Sequence, residues 1–208
     1  KLLPELKLVP GFALDLTTVD PDDGMPWDFD NPRKREKAMR LLREQCPMLL
    51  VGSPMCTAFS TWQRINDKIR DPETCAQEKR RALVHLSFCV DLYREQLRAG
   101  RYFLHEHPAY ASSWQTEVME KLMAEEGVVR VTCDQCQYGI EDLEGSPIKK
   151  PTSFLTNSIE IAGQLDKRCF GKIGKCSRTA GGMHRQCRGQ VARLAAVYHF
   201  KLCRAILV

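Results

Sequence analysis

Met48-Leu-Leu-Val-Gly52 runs directly into Ser53-Pro54-Met55-Cys56-Thr57-Ala58-Phe59-Ser60, and this junction decides the fold. The first five residues form a short apolar run between Pro47 and the loop, the pattern of a strand buried on both faces. The next eight are small, polar and Pro-bearing, so they read as a loop leaving that strand. Upstream, Asn31-Pro32 places an N-cap residue before a Pro at the first helical position. It predicts a helix to about Gln45, ended by Pro47. Downstream, Asp71-Pro72-Glu73 opens the longest predicted helix, with Leu83, Leu86, Val90 and Leu97 at helical spacing and Gly100 beyond its end. Arg101-Tyr-Phe-Leu-His105 is the next strand, and Glu106-His107-Pro108 is its exit.

The same reading predicts strands at Gly11–Asp15, Val128–Val131 and Thr152–Thr156. Ser112 or Ser113 caps a helix running to Gly127. Residues 134–151 are mostly loop, and Gln190–Val208 forms a terminal helix. Strands alternating with helices predict an α/β fold, with a mainly parallel sheet covered by helices on both faces. Sites in such sheets form at the carboxyl ends of strands. That rule selects Asp15, the Ser53–Ser60 loop, Glu106 and the loop before Thr152. Three regions are expected: an α/β core over 1–163, a basic Cys- and Gly-rich segment over 164–189, and the terminal helix packing back on the core. No P-loop, Gly-x-Gly-x-x-Gly motif or internal repeat is present.

The 208 residues, 43% of them hydrophobic, can bury one core of ordinary size. No apolar run approaches the roughly 18 residues needed to cross a bilayer, so no membrane partner is expected. The start carries no signal-peptide pattern and no initiator Met, which predicts an intracellular chain whose natural start lies before Lys1. Charge divides unevenly. The net +5 resolves into an acidic 1–145 and a 146–208 stretch with twelve Lys or Arg against Glu160 and Asp166. Such asymmetry predicts a polyanion partner, nucleic acid first; a solvated basic face is the plainer alternative.

Two groups of residues could carry chemistry. Cys56 sits on a Pro-bearing loop directly after a buried strand, the exposed, rigid perch that a nucleophilic thiol needs. Glu106, at a strand exit between two histidines, is placed to act as an acid or to hold the edge of a base. The second group is Cys133-x-x-Cys136 with Cys169, Cys176, His184 and Cys187. Two thiolates at the first spacing can reach one tetrahedral ion, and the Gly-rich segment around the others lacks apolar residues and could use a metal staple. The ligand set read from this is Cys133, Cys136, Cys176, His184 and Cys187, with zinc as the ion. Loose cysteines in a loop-rich region remain the alternative.

The order of strand, Cys56 loop, strand, Glu106 and a basic segment before a further strand resembles the DNA (cytosine-5) methyltransferases. Their nucleophile loop, Pro-Pro-Cys-x-x-Phe-Ser, matches Pro54-Met55-Cys56-Thr57-Ala58-Phe59-Ser60 except at its second Pro. Their glutamate also follows the next strand, where this chain reads His105-Glu106-His107-Pro108. Lys149-Lys150-Pro151-Thr152 stands where their basic segment lies. The phrases Leu14-Asp-Leu-Thr-Thr18, Pro26-Trp-Asp-Phe29 and Lys150-Pro-Thr-Ser-Phe-Leu-Thr-Asn-Ser158 look like a divergent branch found in retroelement polyproteins of algae and oomycetes.

The resemblance implies a Rossmann-like methyltransferase fold and a defined chemistry. Cys56 would attack carbon 6 of a flipped cytosine and Glu106 would hold its N3 edge, with Lys150 and Thr152 completing the catalytic set. A methyl group would pass from S-adenosylmethionine to carbon 5. Asp15 would meet the cofactor ribose and Asp28 its adenine, with Ser53 and Pro54 beside them. The basic third would hold DNA phosphates, in a nuclear setting and as part of a larger polyprotein or complex. The family's first strand should lie before Gly11, and Lys1–Pro10 is too short to supply it, so the sheet is expected without that strand. Two other readings stay open: a methyltransferase-like fold that only binds nucleic acid or serves as a structural subunit, and a thiol enzyme pairing Cys56 with His105 or His107.

Overall fold

A computed structural model describes residues 6–207, except the side chains at 62, 64 and 65. Residues 1–5 and 208, the outer limits of the expected core and terminal helix, lie outside it. The chain begins with turns, then forms α1 (Pro32–Gln45), β1 (Leu49–Gly52), α2 (Thr61–Asn66), α3 (Pro72–Arg98) and β2 (Tyr102–Pro108). There follow α4 (Glu117–Met123), β3 (Val129–Asp134), β4 (Ile148–Lys149), β5 (Pro151–Thr156) and α5 (Ile159–Leu165). The chain closes with β6 (Arg185–Gln186), α6 (Gly189–Leu194) and α7 (Phe200–Leu207).

The predicted caps act as read. The Asn31 side chain accepts from the Arg33 N–H at 3.0 Å and that of Asp71 from the Thr74 N–H at 2.7 Å, each followed by Pro at the first helical position. These bonds satisfy donors that a helix start would otherwise leave open. The expected helix at Ser112 or Ser113 starts later. Ser112 spends its hydroxyl on the Phe59 carbonyl oxygen and Ser113 bonds His107, so a 3-10 turn occupies Ser112–Gln115 and Thr116 precedes α4.

The main sheet is ordered β1-β2-β5-β3. β1 and β2 are parallel, with Gly52 opposite His105. β5 runs antiparallel to both its neighbours, Phe154 opposite Glu106 on one side and Val131 on the other. The sheet is therefore mixed rather than mainly parallel, although β1, β2 and β3 all point the same way. Helices do cover both faces. Phe103 and Leu155 pack with Leu86, Val90 and Tyr93 of α3 and Met119 and Leu122 of α4. Leu104, Phe154 and Cys133 pack with Leu165 of α5 and Leu202 and Ile206 of α7. Burying each such side chain contributes roughly 1.5–3 kcal/mol.

Two further expectations are corrected and one unread element is added. Gly11–Asp15 is not a strand: Asp15 Oδ1 accepts from the Thr17 N–H at 2.8 Å and Thr18 Oγ1 from the Asp15 N–H at 2.9 Å, local bonds that draw the backbone into a turn. The terminal helix is two helices, α6 and α7, broken over 195–199. Between β5 and the Cys-rich segment, Ser158 caps α5, a helix not read from the sequence, by accepting from the Ile161 N–H at 3.2 Å. Among the described residues no helix is long and apolar enough to cross a membrane.

A separate packing unit fixes the amino-terminal turns. Trp27 is buried against Ala38 and Phe88, and the Lys34 ammonium stands 5.0 Å from its ring centroid. Lys34 also donates to the buried Asp20 carboxylate at 2.6 Å. Burial alone would raise the Asp20 carboxyl, but Lys34 and Lys37 hold it below the usual range.

Candidate functional site

β1 ends at Gly52 opposite His105 while β2 runs on to Pro108, so Glu106 lies inside β2 rather than at its expected exit, next to the loop that leaves β1. Gly52 is required at the end of β1. A Cβ there would come within 2.0 Å of the Tyr93 hydroxyl, which is held at 3.0 Å from His105 Nδ1. The loop beyond is fastened at two points, once to β2 and once to the 3-10 turn that follows it. His107 Nε2 lies 3.0 Å from the Pro54 carbonyl oxygen, and Ser112 Oγ donates to the Phe59 carbonyl oxygen at 3.3 Å. Buried Phe59 packs against the His107 ring, with centroids 5.9 Å apart. Cys56 is thereby held between two anchors, just before a 3-10 turn at Thr57–Phe59.

Glu106 points from β2 to the opposite face from His105 and His107. It is buried, at 9% exposure, and burial pushes its carboxyl up. Lys150 and the hydroxyls of Tyr198 and Ser53 offset part of that rise. Tyr198 Oη and Ser53 Oγ are 3.4 Å apart. The partly buried Cys56 thiol is raised first by burial and then by the charge of Glu106, against which Lys150 acts. Lys150 Nζ donates to the Ala195 carbonyl oxygen at 3.0 Å, at the break between α6 and α7. Cys56, Glu106, Lys150, Ser53 and Tyr198 thus form one electrostatic unit. A thiol, a carboxyl held toward its protonated form and a fixed ammonium are the groups needed to add a nucleophile to an electron-poor ring and protonate it elsewhere.

Other expected residues take different places. Thr152 lies on the Glu106 face but is fully buried, accepting from Gln135 Nε2 at 2.9 Å. Pro54 and Ser53 are committed to His107 and Tyr198. Asp15 and Asp28 are exposed, with their hydrogen bonds confined to their own turns. His105 and His107 are fully buried with rings 5.0 Å apart, and burial lowers both, His107 to about 4. Both His107 nitrogens are engaged, by Pro54 and by Ser113 Oγ at 2.6 Å, which leaves none to serve Cys56 as a base.

The metal-type cluster forms beyond the end of β3 with a changed membership. Cys136, Cys169, Cys176 and His184 bring their ligand atoms within 4.8 Å of one another, an arrangement that could hold a metal ion. Cys169 Sγ is 3.9 Å from Cys176 Sγ and 3.5 Å from His184 Nε2. Cys133 and Cys187, both expected as ligands, stand outside. Cys133 alternates on β3 into the core under α5 and α7, and Cys187 packs with Ile140, Ile148 and Ala195. Cys169 enters because Asp134, at the end of β3, accepts its N–H at 2.8 Å. The Cys169 thiol, although raised by burial, is brought down to about 6 by donors from Ser177 and the Gly171 backbone.

Sequence reasoning passed over Tyr198, which had been absorbed into a continuous helix, and His107 as the anchor of the loop. Neither carries a local signal, because their partners lie 145 and 53 positions away. No protein-family model, curated protein or solved structure matches this chain.

Proposed function

We propose that this chain activates a cytosine base in DNA, as the base-handling part of a cytosine C5 methyltransferase-like site. The Cys56 thiolate adds to ring carbon 6, and Glu106 in its protonated form donates to N3, so that the displaced electron pair gathers at carbon 5 as an enamine. Protonation of carbon 5 by solvent, followed by loss of the other carbon 5 hydrogen and expulsion of Cys56, returns cytosine with that hydrogen exchanged. The observation that carries this reading is the Cys56–Glu106–Lys150 unit, in which burial favours a protonated carboxyl beside an anchored thiol. The methyl-transfer step implied by the resemblance needs an S-adenosylmethionine cleft. The residues expected to build one do not fit it: Asp15 and Asp28 sit exposed in separate turns, while Ser53 and Pro54 are engaged elsewhere. The reading therefore stops at activation of the base.

Its test is mass spectrometry of an oligonucleotide with deuterium at cytosine carbon 5, incubated with the chain in ordinary water. Loss of deuterium is expected, abolished in Cys56→Ala and slowed about 100-fold in Glu106→Gln. No exchange by the native chain overturns the proposal. It would leave the second reading, a nucleic-acid-binding subunit, which the unbuilt cofactor cleft favours.

We further propose zinc at the Cys136, Cys169, Cys176 and His184 cluster. A tetrahedral zinc with bonds of about 2.3 Å to sulfur and about 2.0 Å to nitrogen sets sulfur pairs about 3.8 Å apart and sulfur–nitrogen pairs about 3.5 Å apart. The two separations given above support that ion. Its role is structural, since four protein ligands leave no open position.

A further inference from the structure

The segment between Cys169 and Cys176 has a conformation that its own sequence disfavours. Lys175 N–H donates to the Lys172 carbonyl oxygen at 3.0 Å, closing a four-residue turn. Both central residues, Ile173 and Gly174, have positive φ, 52° and 75°. That is the type I′ arrangement, in which the first central position is ordinarily Asn, Asp or Gly. A β-branched residue there is an outlier, and such outliers persist where they serve a function.

Ile173 is unfavourable on a second count. It is 94% exposed, and Phe170 on the same loop is 80% exposed. The base beneath them is rigid. Gly171 admits no Cβ, which would lie 1.7 Å from the Lys175 carbonyl oxygen, and Cys169, Cys176 and His184 gather behind it. Lys172 and Lys175 flank the tip, both exposed and, among the described residues, without a carboxylate partner. Arg168, Arg178 and Arg185, by contrast, pair with Asp134, Glu141 and Asp142.

We propose that the Lys172–Lys175 turn is a DNA wedge: Ile173 enters between base pairs of a duplex, Phe170 extends the apolar contact, and Lys172 and Lys175 hold the flanking phosphates. Apolar side chains inserted at a base step with cations on either side are a general means of opening a duplex. The turn is rooted through Cys169 and Asp134 at the end of β3, on the same sheet edge as Cys56. Three strand spacings separate β3 from β1, about 15 Å. That separation of the two strand ends corresponds to about four base-pair steps, so the loops that leave them can meet one duplex. This location favours DNA over an anionic membrane as the polyanion. The choice of DNA rests on the proposed cytosine activity, but the test does not, because it is run with Cys56→Ala as well as with the native chain.

The experiment uses the zinc-loaded chain and a duplex carrying 2-aminopurine, with anisotropy read across a salt series. The native chain and Cys56→Ala are expected to raise 2-aminopurine fluorescence. Ile173→Asn suits the turn better, so it should keep its metal and melt at a higher temperature, yet bind about tenfold more weakly and lose the fluorescence rise. Lys172→Gln with Lys175→Gln should reduce the slope of log affinity against log salt by about 1.8. Unchanged binding and fluorescence in Ile173→Asn overturn the proposal. So does displacement of DNA by anionic vesicles that bind through Ile173.

Discussion

His107 Nε2 lies 3.0 Å from the Pro54 carbonyl oxygen, so the strand that carries Glu106 also holds the loop that carries Cys56. A carbonyl oxygen can only accept, which makes Nε2 the protonated nitrogen and leaves Nδ1 to accept from Ser113 Oγ at 2.6 Å. The Nε2 contact stands whether or not the ring is charged, but acceptance by Nδ1 needs the neutral ring, so protonation of His107 disturbs the support of the thiol loop.

That dependence gives a pH signature. Burial lowers His107 from 6.5 to about 4, so the unfolded chain takes up a proton in this interval and the folded one does not. The stabilisation is complete above pH 6.5 and is lost progressively toward pH 4, by about 3 kcal/mol. Denaturant unfolding of His107→Gln between these limits should lose about that much less. An unchanged slope would show that His107 does not carry the effect.

The reactivity of Cys56 is set first by burial and then by two opposed charges. Burial and Glu106 raise its thiol and Lys150 lowers it, so alkylation should be slow at pH 7 and still be rising above pH 9. Lys150→Gln should slow Cys56 alkylation several-fold, and Glu106→Gln should speed it by a similar factor at pH values where Glu106 is ionised. Peptide-resolved iodoacetamide labelling by mass spectrometry reads both. Equal rates in the two variants would sink the assignment of Lys150 and Glu106 as its electrostatic neighbours.

The metal cluster predicts which cysteines matter. One zinc per chain is expected by elemental analysis of protein purified without chelator. Cys169→Ser should lose it, while Cys133→Ala and Cys187→Ala should retain it. Cys133→Ala should instead cost about 2 kcal/mol of stability, as a cavity beneath α5 and α7. Retention of zinc by Cys169→Ser, or its loss from Cys133→Ala, contradicts the ligand set.

Gly52→Ala tests the support under the site. The new methyl group would fall 2.0 Å from the Tyr93 hydroxyl, in a core where Tyr93 is 1% exposed and bonded to His105. Overpacking of this kind costs about 1–3 kcal/mol, measured as a lower denaturant midpoint. A neutral result would mean that Tyr93 can leave His105 without penalty.

The elements most legible in the sequence were those with their own punctuation. Asn31-Pro32 and Asp71-Pro72 mark α1 and α3 because capping is a contact between near neighbours. The direction of β5 was illegible, since Phe154 and Leu155 would be buried equally well in a strand running either way. The Cys56–Glu106 association was legible because the loop after β1 lies beside the last residues of its parallel neighbour β2. Tyr198 did not, because apolar spacing continues across 195–199 and only Lys150 and Ser53, far off in sequence, reveal why the helix breaks. In the Cys-rich segment, spacing offered six candidate ligands, and the choice of Cys169 over Cys133 was made by the side-chain alternation of β3 and the Asp134 bond.

The break over 195–199 also sets an order of assembly. β1, its loop and β2 can form from the residues up to Pro108, with His107 already gripping Pro54. Glu106, however, gains its Tyr198 neighbour and Lys150 its Ala195 anchor only from residues 195–198, and the Ser53–Tyr198 contact spans 145 positions. Contacts that distant form late, both in folding and on the ribosome. A growing chain therefore carries an anchored thiol long before the carboxyl and ammonium opposite it are tuned, and its reactive edge is completed only once residues 195–198 have been made.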